Sequence, residues 1–141
     1  MRIEYTADHS RIDWKALRRE LIDDDFHNGR TAGQLQRSFE NSQVAVYAMM
    51  GTRCVGTARA LSDGVWNAYV VDVWTLSECR DQGVGSEMMK RIIAACPGQH
   101  IYLFTDDAVP FYRRLGFTPR PLGLELVSGE WLQNASLDDP H

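Results

Sequence analysis

Apolar and polar positions along this chain of 141 residues switch between two periods, and each switch marks an element. Arg2 to Tyr5 reads as a short strand. Trp14, Leu17 and Leu21, apolar at spacings of three and four, read as a helix capped by Ser10 or Asp13. Asp23-Asp24-Asp25 ends that pattern, Phe26 to Arg30 is turn-like, and a second helix is expected over Ala32 to Phe39 with Thr31 as its cap. Gln43 to Met50 and Cys54 to Leu61 are β-rich runs around Gly51-Thr52-Arg53, the pattern of an antiparallel hairpin. Ser62-Asp63-Gly64 makes the next turn. Asn67 to Thr75, dense in β-branched and aromatic residues, reads as a strand buried on both faces.

Val84, Met88, Ile92 and Cys96 share one face of a helix expected from Val84 to Ala95, and Pro97-Gly98 stops it. His100 to Phe104 reads as strand and Val109 to Arg114 as a helix capped by Asp106 or Asp107. Gly116 stands where a helix C-terminal glycine belongs, and Leu122 to Val127 returns as strand. The order is β, α, α, three strands, then αβαβ, with no internal repeat. One domain over 1–133 is expected, followed by a polar tail over 134–141 that carries Pro140.

The length fits one domain and excludes two full catalytic ones. At 44% hydrophobic and 24% charged residues the composition is that of a soluble globule able to bury a core. Fifteen Lys and Arg against nineteen Asp and Glu give a net charge of −4, the wrong sign for a polyanion binder, so no nucleic-acid partner is expected. An acidic surface mildly favours cationic partners such as amines. Cys54, Cys79 and Cys96 form no Cys-x-x-Cys pair, which signals neither a zinc ribbon nor a disulfide framework. No metal is expected, and a reducing compartment follows. With no apolar signal core, and with Val44 to Met50 far too short to cross a bilayer, the chain reads as cytoplasmic and without a membrane partner. Asn134-Ala135-Ser136 matches the glycosylation triplet by chance on that reading.

The chemistry concentrates in Val73 to Ser86, where a strand feeds a glycine-containing loop that opens into a helix. Successive backbone N–H groups there can converge on a diphosphate while the helix dipole adds positive charge; the bland alternative is a tight turn. Neither familiar nucleotide loop fits: Gly-x-x-x-x-Gly-Lys-Ser/Thr is absent, and Met88 stands where the dinucleotide fingerprint needs glycine.

Arg80-x-x-Gly83-x-Gly85, read together with Ala108-Val109-Pro110-Phe111-Tyr112-Arg113-Arg114-Leu115-Gly116-Phe117, resembles the GCN5-related N-acetyltransferase (GNAT) family. That family carries Gln/Arg-x-x-Gly-x-Gly/Ala after its fourth strand and Ala-x-x-Phe-Tyr-x-x-x-Gly-Phe on the helix after its fifth. The resemblance covers about Val44 to Val127 and implies an α/β fold. A mixed, twisted sheet of six or seven strands, with its fourth and fifth strands splayed, would be flanked by about four helices. It also implies acetyl-CoA as cosubstrate. The pantetheine arm would bond the backbone at Val73 and Thr75, and the diphosphate would bind backbone N–H groups of Asp81, Gln82, Gly83, Val84, Gly85 and Ser86. Arg80 would shape the loop or contact phosphate. Thr105 occupies the place of an asparagine common in the family, and its side chain can still bond an amide.

Acetyl transfer to an amine needs a deprotonated amine, donors for a developing oxyanion and a proton for the departing thiolate. The resemblance makes Tyr112 the acid, and an ordinary tyrosine pKa of about 10 keeps it protonated at neutral pH. An N–H near Val73 would serve the oxyanion. Asp72, alone among apolar neighbours, either draws in or deprotonates the amine, or is a structural carboxylate bonded to backbone or an arginine. Alternation sets it opposite Val71 and Val73, so only a bulge or the splay turns it toward substrate. A water chain is the substitute for a dedicated base.

His27, Asp23 to Asp25, Trp14, Phe26 and Trp66 are acceptor-site candidates whose bland readings are solvated loop, wet helix end and core packing. Cys79 lacks a matched base, which favours direct attack in a ternary complex over an acyl-cysteine. Arg113 and Arg114 either meet a ribose phosphate or are solvated. The expected function is acetyl transfer from acetyl-CoA to a primary amine, of a small molecule or a peptide. The rivals are a silent acyl-CoA-binding module and a nucleotide-binding enzyme. A homodimer is the oligomeric state the resemblance suggests.

Overall fold

In the computed structural model, which describes residues 2–133, five strands form one sheet in the order β1-β2-β3-β4-β5. The strands are β1 (Glu4–Thr6), β2 (Val44–Met50), β3 (Arg53–Ser62), β4 (Asn67–Thr75) and β5 (His100–Tyr102). β1 to β4 pair antiparallel, and β5 lies parallel to β4. Parallel neighbours cannot be joined by a tight turn. The connection from β4 to β5 therefore carries a crossover helix, α3 (Val84–Ala95).

Local chemistry sets the ends of the other helices. Asp13 caps α1 (Trp14–Asp23) by accepting from the Ala16 N–H at 3.0 Å. Thr31 and Gln34 close a reciprocal capping box on α2 (Ala32–Glu40), with bonds of 3.0 and 2.9 Å. The expected cap of α4 (Val109–Arg114) is corrected: neither Asp106 nor Asp107 serves it, and the Thr105 hydroxyl instead accepts from the Ala108 N–H at 3.0 Å. Gly116, at φ +102°, follows the last helical turn in the conformation glycine adopts most readily. Between β2 and β3 the two-residue turn Gly51-Thr52 puts Gly51 at φ +64°.

Helices cover both faces. On one, Tyr47 of β2 is fully buried against Trp14 of α1 and Phe39 of α2, with ring centroids 5.9 and 5.7 Å away. Its hydroxyl bonds His9 Nδ1 at 2.6 Å, which satisfies the one polar atom that burial would strand. On the other, Val84, Met88, Ile92 and Cys96 are buried along one side of α3, as their spacing requires.

β4 does bury residues on both faces: Ala68 and Val70 share the face of their partners Ser62 and Ala60, whereas Trp74 shares that of Thr57, on the α1–α2 side where Asp72 also points. Two further expectations are corrected. The sheet has five strands among the described residues, not six or seven. Leu122 to Val127 is not a strand, although its leucines alternate; Leu122, Leu124 and Leu126 are about nine-tenths exposed. Alternation makes a strand only where a neighbouring ladder takes up the peptide groups, and this segment has none. The expected tail over 134–141 lies outside the described residues.

Gly56 of β3 marks the tightest contact between sheet and α3. A Cβ there would stand 3.1 Å from the Ala48 Cβ and from Met88 Sδ and Cε. Gly56→Ala is expected to destabilise by about 1–3 kcal/mol, seen as a lower urea midpoint at unchanged slope.

Candidate active site

The ladder between β4 and β5 is short: Asn67, Ala68 and Tyr69 face His100, Ile101 and Tyr102, and no pairing follows. Six more residues of β4 run on beside an open gap, which is the expected splay. The register with β3 decides which peptide groups face it. Hydrogen-bonded pairs alternate along an antiparallel ladder. The Leu76 N–H donates to the Val55 carbonyl at 2.8 Å, so the Thr57/Trp74 pair is also hydrogen-bonded and the peptide groups of Val73 and Thr75 point away from β3 into the gap. Nearer the start of β4, the Asp63 N–H donates to the Asn67 carbonyl at 3.2 Å, and there Ala68 and Val70 point that way.

The change of phase is a β-bulge. Arg59 faces Val71 and Thr57 faces Trp74, which sets Asp72 and Val73 against Ala58 alone. Asp72 takes φ +57°, a left-handed conformation tolerated by aspartate better than by most residues. Its carbonyl accepts from the buried Thr57 hydroxyl at 2.9 Å. Its carboxylate is gripped by Arg30 through two bonds of 2.8 and 3.0 Å and by Arg59 Nε at 2.7 Å. Burial opposes its ionisation, but the hydrogen bonds and charges of Arg30 and Arg59 prevail and hold the carboxyl below its usual range. Of the two readings the sequence left open, the geometry matches the structural one. Asp72 faces the α1–α2 side, and a carboxylate so held is a weak proton acceptor.

After β4 the chain makes a short 3₁₀ turn over Ser77–Cys79 and enters the loop that opens α3. Asp81 at φ +62° and Gly83 at φ +82° turn the backbone twice, and no side chain caps the helix. The first N–H groups of a helix have no partner within it, so those of Val84, Gly85 and Ser86 are available to an anion. The Val84 side chain is core, and Gln82 Nε2 donates to the Glu78 carbonyl at 3.4 Å. Gly85 is closely packed: a Cβ there would stand 3.3 Å from Phe111 Cζ, tight enough that the ring would have to shift, and in ordinary contact with Thr75 Oγ1 at 3.6 Å. Phe111 thus joins α4, the mouth of α3 and the end of β4.

Arg80 shapes this loop. Its Nε donates to the Thr75 carbonyl at 3.0 Å and its Nη2 to Asp24 Oδ2 at 3.4 Å. Asp24, read from the sequence as either an acceptor-site carboxylate or part of a wet helix end, is a hub at the C-terminus of α1. It also accepts from Trp74 Nε1 at 2.9 Å, the Ser77 hydroxyl at 2.6 Å and the Ser77 N–H at 3.2 Å. Its carboxyl is held low: burial opposes, but the Ser77 and Trp74 bonds and the Arg80 charge outweigh it. Arg30, Thr57 and Arg59 are the site residues that sequence reasoning missed, and Asp24 was named only within the acidic run 23–25, for the acceptor and not for the loop.

Tyr112 packs edge-on against Phe111 and Phe117, with centroids 4.9 and 5.8 Å away. Burial, and then the charge of Asp107, push its hydroxyl above the usual tyrosine value. Tyr112 and Thr105 line a cleft of about 810 Å³ between β5, α4 and residues 116–123. Neither β4 nor the 81–86 loop lines that cleft, so the structure gathers the predicted residues into two neighbouring groups bridged by Phe111 and Tyr112. Of the acceptor candidates, Trp14 is core, Phe26 packs on the core and Trp66 is 70% exposed. The His27 carbonyl accepts from Arg30 Nε at 3.2 Å, while its Nδ1 is buried without a partner. Cys79 is buried, and Arg113 and Arg114 are exposed. No group of three or more His, Cys, Asp or Glu side chains able to hold a metal occurs among the described residues.

The sequence profile of the acetyltransferase (GNAT) family matches residues 10–117, most of the chain. The chain belongs to the GNAT acetyltransferase family. Serotonin N-acetyltransferase 2, chloroplastic, of Oryza sativa subsp. japonica is 36% identical to this GNAT chain over 100 residues, covering 65% of this chain and 50% of that protein. GCN5-related N-acetyltransferase 2, chloroplastic, of Arabidopsis thaliana is 35% identical over 77 residues, covering 52% and 30%. The chain thus spans half or less of the length of these relatives. Among solved structures, a GNAT-family protein of Xanthomonas campestris pv. campestris superposes with a TM-score of 0.77 at 27% identity, covering 92% of this chain and 96% of that one. A Clostridium acetobutylicum protein crystallised with acetyl-CoA superposes with a TM-score of 0.69 at 22% identity, covering 89% and 96%, which extends the likeness in fold.

The arginine-bound carboxylate of this GNAT chain carries a stability signature. A carboxyl held below its ordinary value when folded contributes stability above that ordinary value, and the contribution is lost as pH falls through the lower folded value. Urea midpoints measured between about pH 5 and pH 2 should therefore fall more steeply for the wild type than for Asp72→Asn. Parallel slopes would detach Asp72 from its arginines.

Proposed function

We propose that this chain transfers an acetyl group from acetyl-CoA to the primary amine of a small molecule, by direct attack within a ternary complex. The observation that carries the reading is the uncapped, twice-turned mouth of α3 at the end of a strand whose Val73 and Thr75 peptide groups face an open gap. The donors fit a diphosphate because they are main-chain N–H groups at a helix N-terminus, where negative charge is favoured. Gly83, whose absent Cβ would meet nothing, leaves that approach open. When bound, acetyl-CoA supplies an acyl group already activated as a thioester.

The remaining work belongs to this chain. The peptide groups of Val73 and Thr75 hold the pantetheine arm along β4, and an N–H near Val73 faces the charge that develops on the acyl oxygen. Tyr112, kept protonated by its burial, gives its proton to the departing sulfur. The amine loses its proton to a water chain, because the carboxylate of Asp72 is committed to Arg30 and Arg59. A relative named serotonin N-acetyltransferase supports a small amine as the acceptor. Another, histone acetyltransferase TAP1 of Glycine max, keeps a peptide amine as the second reading. The proposed compartment is the cytoplasm, where the free thiols of Cys54, Cys79 and Cys96 stay reduced.

Two variants test the assignment. Gly85→Asp places a carboxylate among the N–H donors and a Cβ against Phe111, and calorimetry should show CoA affinity falling by about 100-fold or more. Unchanged affinity would remove the loop from the binding site. Tyr112→Phe should lower kcat for thiol release by roughly 100-fold or more while CoA affinity holds. Full turnover would leave the reaction without this acid, and tight CoA binding with no turnover on any amine would point to the silent binding module.

A further inference from the structure

The cluster of Arg30, Asp72 and Arg59 is nearly closed to solvent, with Arg30 and Asp72 each 8% exposed, and it joins three elements. Asp72 stands at the bulge of β4, Arg59 lies on β3, and Arg30 comes from the segment between α1 and α2. Each arginine is itself tied down. The Arg30 carbonyl accepts from Arg18 Nε at 2.8 Å, and its Nε donates to the His27 carbonyl at 3.2 Å. Arg59 donates to the Ser42 hydroxyl at 3.2 Å and stacks over Phe39 at 5.5 Å. A buried carboxylate paired with one buried and one largely buried cation cannot move or be neutralised without stranding them. The Thr57 hydroxyl secures the same residue from its carbonyl side.

The bulge does one thing for the site: it shifts the phase of β4, so that Val73 and Thr75 present peptide groups to the gap where an unbroken ladder would present Asp72 and Trp74. We propose that Arg30, Asp72 and Arg59 form a clamp that holds this phase, and that Asp72 is a positioning residue for acyl transfer and not its proton acceptor. The clamp makes the α1–α2 segment answerable for where the thioester lies. The inference rests on the acetyltransferase reading for its kinetic readout, while its structural readout is independent of that reading.

The test compares wild type, Asp72→Asn, Arg30→Gln, the double variant and Thr57→Val. Asparagine keeps the shape of Asp72 and its tolerance of a left-handed backbone, and removes only the charge. The readouts are kcat against pH by thiol release, CoA affinity by calorimetry, and amide hydrogen exchange along β4. Asp72→Asn and Arg30→Gln should each lower kcat by about 10- to 100-fold, as expected for a misplaced reacting group, with CoA affinity falling by no more than about threefold, because the α3 mouth is untouched and only the pantetheine bonds at Val73 and Thr75 loosen. The double variant should be no worse than the worse single by more than about twofold, as one unit behaves. The acid limb of the kcat profile should stay in place, and exchange at residues 73–75 should quicken while α3 is unchanged.

Loss of the acid limb in Asp72→Asn, or its move to higher pH in Arg30→Gln, would overturn the proposal by making Asp72 the proton acceptor. Wild-type kcat in both would overturn it too. If Asp72→Asn does not fold, Thr57→Val, which loses one hydroxyl bond to the Asp72 carbonyl, should show the same split between kcat and affinity at about 3- to 10-fold. Wild-type kcat in Thr57→Val would then count against the clamp. A wild-type protein that binds no acetyl-CoA would refute the acetyltransferase reading alone, and exchange at 73–75 would still judge the clamp.

Discussion

One carboxylate between two guanidiniums fixes where β4 breaks step, and the geometry beyond it follows. Without the bulge at Asp72, the peptide groups that bond β3 and those that face the gap would trade places along the last turns of β4. The gap itself comes from topology. β5 pairs with only three residues of β4, and a parallel neighbour with so short a ladder leaves the rest of the strand one-sided. Bulge and splay together give β4 an edge inside the sheet, with main-chain groups outside the ladder where an extended ligand can use them, the Thr75 carbonyl among them already accepting from Arg80.

The second half of the site is held by the same part of the chain. Asp24 closes α1 and binds Trp74, Ser77 and Arg80, while Arg30, a few residues on, binds Asp72. The segment from Asp24 to Arg30 is therefore bolted to β4 at alternate residues and to the loop beyond it. Arg80 passes the constraint on through the Thr75 carbonyl, and Gly85 through its close approach to Phe111. The region that the sequence marks as least regular sits at the mechanical centre of the site.

What was legible in the sequence was what local physics determines. β4 and α3 were readable to the residue because a β-branched run and an i, i+4 apolar face each admit one element. The motif pair on Arg80 to Gly85 and Ala108 to Phe117 was readable because main-chain recognition leaves glycines at fixed spacing. Charge partners were not. Asp24 looked like a wet helix end because its partners Trp74 and Arg80 lie 50 and 56 residues away. Asp72 stayed ambiguous because Arg30 is 42 residues distant and nothing in the alternation of β4 announces a bulge. Leu122 to Val127 has the period of a strand, yet period does not supply a neighbour.

The mouth of α3 has no capping side chain, so what it offers a ligand is written in backbone. Gln82 and Ser86 can then drift in identity without altering the message, whereas the torsions at Asp81 and Gly83 cannot. Two descendants of this chain could share a cofactor and little visible similarity in that loop beyond its glycines, and their divergence would gather in the segments that meet the acceptor.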